Sequence, residues 1–318
     1  MSPTSHGGLF VGAYAASPAF ARWDARAEAE LLHGLADLPE VRGLELPWLG
    51  SLHPHDDDWL LAHFPRRFDA VLTSIPGTMR RLQREPGYGL ASADADGRRA
   101  AVREALALRD AARRLDDACG RAAVTAVELH SAPTATGSTA ALRASLTELV
   151  EAGGWDGTAI VIEHCDAQVA DHPAEKGFLA VGAELEALDG LPDTVGMSVN
   201  WGRSAIELRD PELVAAHVAQ ISRAGRLHGL MFSGAAAVAT AYGGAWVDAH
   251  HPLAPTDGFP FGEPASVLTL DRLTSAVAAA GPVRWSGFKF GWADTEAPVA
   301  PRVAMIAAAG RLITSATR

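Results

Sequence analysis

Short runs of apolar, β-favouring residues alternate along the chain with longer stretches in which apolar positions recur every three or four residues. The runs that predict strands are Gly8–Tyr14, Val41–Leu46, Phe68–Ile75, Val124–Leu129, Thr158–Ile162, Thr194–Val199, Leu227–Phe232 and Val283–Phe288. Helices are predicted over Ala21–Leu38, Asp56–His63, Asp94–Cys119, Thr139–Ala152, Glu175–Leu188, Pro211–Ala224, Thr269–Ala280 and Pro301–Thr314, with a turn-rich stretch at Pro76–Ser92. Asp210 before Pro211 is a helix-start signal, a capping carboxylate followed by a residue that suits the first turn.

Strand runs that each lead into a helix imply parallel neighbours, because parallel strands need crossover connections. Eight such units in 318 residues, with no glycine-rich dinucleotide loop after the first, predict an α/β chain folded as a (β/α)8 TIM barrel. Without a Pro/Ser-rich linker or composition break, residues 1–318 are read as one barrel domain, with a long loop over 233–266. The formal net charge of −11 argues against nucleic acid or an anionic membrane surface as a partner. Two cysteines make no disulfide framework, Met1–Gly8 has no leader pattern, and no apolar run reaches the ~20 residues of a membrane span. The expected compartment is the cytoplasm; the oligomeric state is left open.

In a barrel of this kind chemistry is built at the C-terminal ends of the strands. The polar residues at those ends are Glu45, Glu128, His130, Glu163, His164, Asp166, Asn200, Arg203, Ser233 and Lys289, and tryptophans 48, 201, 246 and 292 lie among them. Carboxylates and cations bond hydroxyls while aromatic faces cover C–H surface, so the set suits a small carbohydrate; the rival reading of each tryptophan is half-buried packing.

The stretch from Gly89 to Asp166 resembles the xylose-isomerase-like TIM barrels, endonuclease IV and the sugar isomerases and epimerases among them. The likeness is carried by GLASADADGRRAAVREALALRDAARRL (Gly89–Leu115), by ELHSAPTATGS (Glu128–Ser138), by IVIEHCDA (Ile160–Ala167), and by the Asp248-Ala249-His250 triplet. The resemblance implies metal-ligating roles for His130, Glu163, Asp248 and His250. It also marks a branch with altered metal-ligand positions. Where the family carries an Asp and a His after strand six this chain has Asn200 and Arg203, and where it carries a strand-eight Glu this chain has Lys289.

Two unit charges 4 Å apart interact by about 4 kcal/mol at an effective dielectric near 20, so fixed cations at Arg203 and Lys289 oppose a second divalent ion and with it a multinuclear site. No cofactor is therefore favoured, with a single divalent metal on His130, Glu163, Asp248 and His250 as the alternative. The expected activity is sugar or sugar-acid isomerase/epimerase-like, with Glu163, Lys289 and His130 catalytic. Glu45, Trp48, Glu128, Asn200, Trp201, Arg203, Trp246, Asp248, His250 and Trp292 are expected to bind substrate. A lyase or hydrolase on a modified glycoside and a catalytically silent sugar-binding barrel are the other readings. Lys289, between Phe288 and Phe290, is expected to have a lowered pKa, the rival being an ion pair with Glu163. For Arg203 the choice is an anion clamp or packing over Trp201; for Glu45, a functional role or a buried partner for a neighbouring cation. His53 and His55 are read as a solvated loop.

Overall fold

A computed structural model describes residues 8–317; residues 1–7, which include most of the stretch read for a leader, lie outside it. Eight strands form a closed barrel in sequence order: β1 (Leu9–Val11), β2 (Val41–Pro47), β3 (Asp69–Thr73), β4 (Val124–Leu129), β5 (Ala159–His164), β6 (Val195–Asn200), β7 (Leu227–Phe232) and β8 (Trp285–Phe288). Each pairs in parallel with the next, and β8 closes on β1 through Phe10 opposite Gly287. The (β/α)8 barrel read from the sequence is the fold of the chain. Among the described residues no helix is long and apolar enough to cross a membrane.

Strand side chains alternate between two faces. The outward set packs under the helices in the main apolar core, while Phe10, Val71, Ala126, Ala159, Val161, Met231 and Trp285 fill the interior as a separate cluster. Two residues further along the same strands stand Gly12, Thr73, Glu128, Glu163 and Ser233, so one step of the pleat turns an apolar floor into a polar ring.

Three segments depart from the predicted elements. The turn-rich stretch after β3 contains a helix, Ile75–Leu82. The helix expected from Glu175 begins only at Val181, because the Asp166 carboxylate takes the backbone N–H groups of Glu175 and Lys176 at 2.7 and 2.8 Å and bends the chain around itself. A helix with no sequence prediction, Trp201–Leu208, starts directly at the end of β6, capped by the Asn200 side chain, which accepts from the Gly202 N–H at 3.1 Å. His53 is buried against Trp23 and Trp59 rather than solvated.

The long connection after β7 is a packed element. Antiparallel bridges at Gly234–His251 and Ala236–Ser266 pin its two ends, and Leu253, Phe259 and Leu268 are buried beneath it. It carries Asp248 and His250 over the barrel mouth.

At the floor, Gly229 pairs with Trp285, and a Cβ on Gly229 would stand 2.2 Å from the indole ring. Gly229→Val is expected to lower stability by about 1–3 kcal/mol through overpacking, read as a lower urea midpoint; an unchanged midpoint would contradict a filled barrel floor.

Candidate active site

The polar ring is organised by two cations. Arg203, the third residue of the unpredicted helix after β6, places Nη1 2.5 Å from Glu163 Oε1 in an ion pair and donates from Nε to Asp248 Oδ2 at 2.7 Å. It therefore joins β5 to the long loop. Asp248 also receives the Lys176 ammonium at 3.1 Å and the His250 ring at 3.0 Å. Lys289, just beyond β8, lies 2.6 Å from Glu45 Oε2 on β2 and donates to the Tyr14 hydroxyl at 3.0 Å. A Cβ on Gly12 would fall 2.6 Å from Lys289 Cγ and 2.9 Å from Glu45 Oε2, so only glycine lets this pair form against β1.

The other oxygen of Glu163 accepts from Thr73 Oγ1 at 3.0 Å and from His130 Nε2 at 2.9 Å. Ser74 Oγ lies 3.1 Å from His130 Nδ1 and fixes the tautomer by donating to it. Glu128 accepts from Ser198 at 2.7 Å. Glu45, Glu128, Glu163, Arg203 and Lys289 are each at most 1% exposed.

Burial acts on all these groups, and their partners decide the outcome. Burial pushes Glu163 up, but Arg203, Lys289 and His130 together hold its carboxyl well below the usual range, so it stays ionised. Glu128 goes the other way: burial, with Glu163 and Glu45 nearby, drives it well above the usual range and keeps it neutral. The His130 imidazole is lowered by burial against the opposing pull of Glu163 and is neutral. Asp248 is held well below the carboxylate range by Arg203 and Lys176 against burial.

Two expectations are corrected here. Lys289 does not have a lowered pKa: burial works in that direction, but Glu45, Tyr14 and Glu163 outweigh it and hold the ammonium above its ordinary value. Its ion-pair partner is Glu45 and not Glu163, which makes Glu45 the buried partner of a cation on another strand.

The four residues considered for a single ion do not converge, because the Arg203 guanidinium occupies the space between Glu163 and Asp248. The mouth residues with oxygens close enough to share an ion are Glu45, Glu128 and Glu163, within 4.8 Å of one another. Of these, Glu45 is held by the ammonium, Glu163 by the guanidinium, and Glu128 by the Ser198 hydroxyl. The donor set fits fixed cations better than the divalent centre implied by the resemblance.

The remaining predicted residues divide. Asn200 caps the helix that carries Arg203 and accepts from Ser233 Oγ at 2.7 Å. His250 stands edge-on to Tyr14, their ring centroids 6.5 Å apart, and so lies at the mouth. Trp201 is wholly buried in the main apolar core, and Trp48 is buried with its indole N–H donated to Glu104 at 2.6 Å. Trp246 lies under the Arg209 guanidinium at 4.8 Å, and Trp292 packs against Phe261. Five members of the site were not predicted: Tyr14, Thr73, Ser74, Lys176 and Ser198. Thr73 had a signal, its place two residues beyond Val71 on a strand end; Tyr14 and Lys176 reach the site from connections and had none.

Two small cavities adjoin the ring, one of about 20 Å³ beside Trp48 and His130 and one of about 30 Å³ beside Tyr14 and Glu45. A third cavity, of about 300 Å³, lies beside Trp48, Ser74 and Glu104.

In sequence, the chain is 35% identical over 319 residues to the Uncharacterized protein STM3670 of Salmonella typhimurium (strain LT2), covering 98% of each. In structure, it is similar to an IolI protein with a binding zinc atom (12% identity, TM-score 0.59, 98% of both chains). It is likewise similar to an L-ribulose 3-epimerase (13%, TM-score 0.59, 98% of this chain and 94% of that one). A D-tagatose 3-epimerase-like protein also matches (14%, TM-score 0.53, 82% and 91%). At such identities these likenesses establish the barrel and no more. The model of the domain of unknown function DUF4862 matches residues 10–305, and the chain belongs to that family.

Proposed function

We propose that this chain is a sugar isomerase/epimerase-like enzyme that moves a proton beside the carbonyl of a small carbohydrate, with Lys289 and Arg203 in place of a metal ion. The observation that carries the reading is the placing of two buried carboxyls in one ring, Glu163 against a guanidinium that lowers its pKa and Glu128 against a hydroxyl where burial raises it. Environments that push two titratable groups apart assign a base and an acid. Glu163 takes the proton from the carbon next to the carbonyl, with the neutral His130 and Thr73 holding its carboxylate in place. Lys289 stabilises the oxygen of the resulting enediolate as preorganised positive charge, with the Tyr14 hydroxyl beside it. Glu128 supplies a proton on the return step. That solved structures of similar fold include sugar epimerases supports the substrate class.

The silent sugar-binding reading has one observation in its favour: the 2.5 Å contact with Arg203 weakens Glu163 as a base. Isotope exchange separates the two. The enzyme reading expects deuterium from solvent to appear in at least one member of a panel of ketoses and aldoses, with Glu163→Gln reducing the rate at least 100-fold, the lower end of a general-base contribution. Exchange that is absent across the panel, or unaffected by that substitution, would overturn it.

Lys289→Met is expected to lower kcat/KM by about 10²–10³, whereas removal of divalent ions leaves turnover in place. Activity lost on chelation and restored by metal would refute the fixed-cation reading.

The opposite protonation states also predict a stability contrast near pH 7. Glu128→Gln replaces a neutral acid by a neutral amide and should change the unfolding free energy by less than about 1 kcal/mol. Glu163→Gln leaves the buried Arg203 with Asp248, which Lys176 also shares, as its remaining carboxylate and should cost about 3–5 kcal/mol. Urea titrations of the two variants check this, and equal losses would contradict the assigned states. The same assignment fixes the pH sign. Activity is lost as pH rises through the raised pKa of Glu128 and as pH falls through the lowered pKa of Glu163, as a pH–rate profile would record.

A further inference from the structure

The strand that points Glu163 into the barrel points the next residue, His164, out of it, into a second buried polar cluster that the proposed chemistry does not use. His164 Nδ1 lies 2.7 Å from Glu184 Oε2, on helix Val181–Leu188, and Nε2 lies 3.0 Å from Glu207 Oε2, on helix Trp201–Leu208. His217, on helix Val214–Arg223, brings its Nε2 to 3.5 Å from the other oxygen of Glu207. The two imidazole centroids are 5.3 Å apart and nearly perpendicular.

We infer that His164, Glu207 and His217 form a metal site for one zinc-class divalent ion on the outside of the barrel, separate from the ring at its mouth. One donor atom from each residue lies within 4.8 Å of the other two. Around a tetrahedral zinc with ligand bonds of about 2.0–2.1 Å, neighbouring donor atoms stand about 3.3 Å apart. His164 Nε2 is 3.0 Å from one Glu207 oxygen and His217 Nε2 3.5 Å from the other, so the carboxylate faces both imidazoles at close to that spacing. Two imidazoles and a carboxylate are borderline donors that suit zinc, and three protein ligands leave a fourth position open.

The shell behind the donors has the form such sites take. The Glu184 carboxylate accepts from His164 Nδ1 and turns Nε2 toward Glu207 and His217, the carboxylate–histidine–metal arrangement that orients a ligand. Glu184 is itself fixed by Ser131 Oγ, which donates at 2.5 Å, and Glu207 by the Ala167 N–H at 2.8 Å. His217 Nδ1 is buried with no hydrogen-bond partner, so that ring has no competing attachment. Its side chain is 15% exposed, against none for His164, and marks the side from which an ion arrives. On arrival the ion takes the place of a proton on His164 Nε2, which leaves to solvent.

Calorimetric titration of the metal-free full chain with Zn²⁺ at neutral pH tests the site. One equivalent should bind; His217→Gln, at the exposed edge and tolerable for folding, should weaken binding at least tenfold. Glu184→Gln, a positioning change behind the ligands, should weaken it about 10–100-fold, while Glu128→Gln at the barrel mouth should leave it unchanged. With Co²⁺ as the probe, a visible absorption band should appear in the native chain and vanish in His217→Gln. No uptake of zinc, uptake unchanged by His217→Gln, or uptake abolished by Glu128→Gln would each overturn the site.

Discussion

The contact on which the mouth of this barrel depends is the Arg203 guanidinium held between Glu163 and Asp248. All three side chains are almost fully out of water. A buried charge without a partner costs several kcal/mol, so removing any one of the three exposes the others to that penalty. The planar fork of arginine can serve two carboxylates from different directions, which an ammonium does less well. Because Glu163 belongs to β5, Arg203 to the helix after β6 and Asp248 to the loop after β7, one residue couples three consecutive units of the barrel.

From this contact the other protonation states follow. Burial, with the Glu163 anion and Glu45 beside it, raises the Glu128 carboxyl well above the usual range. The second cation, Lys289, stays charged for the complementary reason: Glu45 stands 2.6 Å away in a place water does not reach. The ring thus sets Glu163 against Arg203 and Glu45 against Lys289, with Glu128 between hydroxyl and carboxylate neighbours. The barrel below contributes rigidity, since its floor is packed to the point where a single methyl on Gly229 would overlap the Trp285 ring.

The similar solved structures share this architecture at 12–14% identity. Barrels keep their scaffold while the strand ends vary, and what a given member does is decided at those ends. Here Asn200, Arg203 and Lys289 are the residues in which the chain differs from the family motifs it resembles. All three belong to the polar network: Asn200 starts the helix, Arg203 spans the carboxylates and Lys289 neutralises Glu45.

The alternation of strand runs with helical stretches, a local property of periodicity and turn chemistry, was enough to determine the barrel. It also placed Glu45, Glu128, His130 and Glu163 at one end, because side chains two apart on a strand share a face. The partners were decided by tertiary structure alone. Nothing in the spacing tells that Lys289 meets Glu45 rather than Glu163, that Asp166 unwinds the start of a predicted helix, or that Tyr14 and Lys176 reach the mouth from loops. Barrel closure and loop packing set those distances. The protonation states went the same way: a sequence names a lysine, but only its buried neighbours fix whether it keeps its proton.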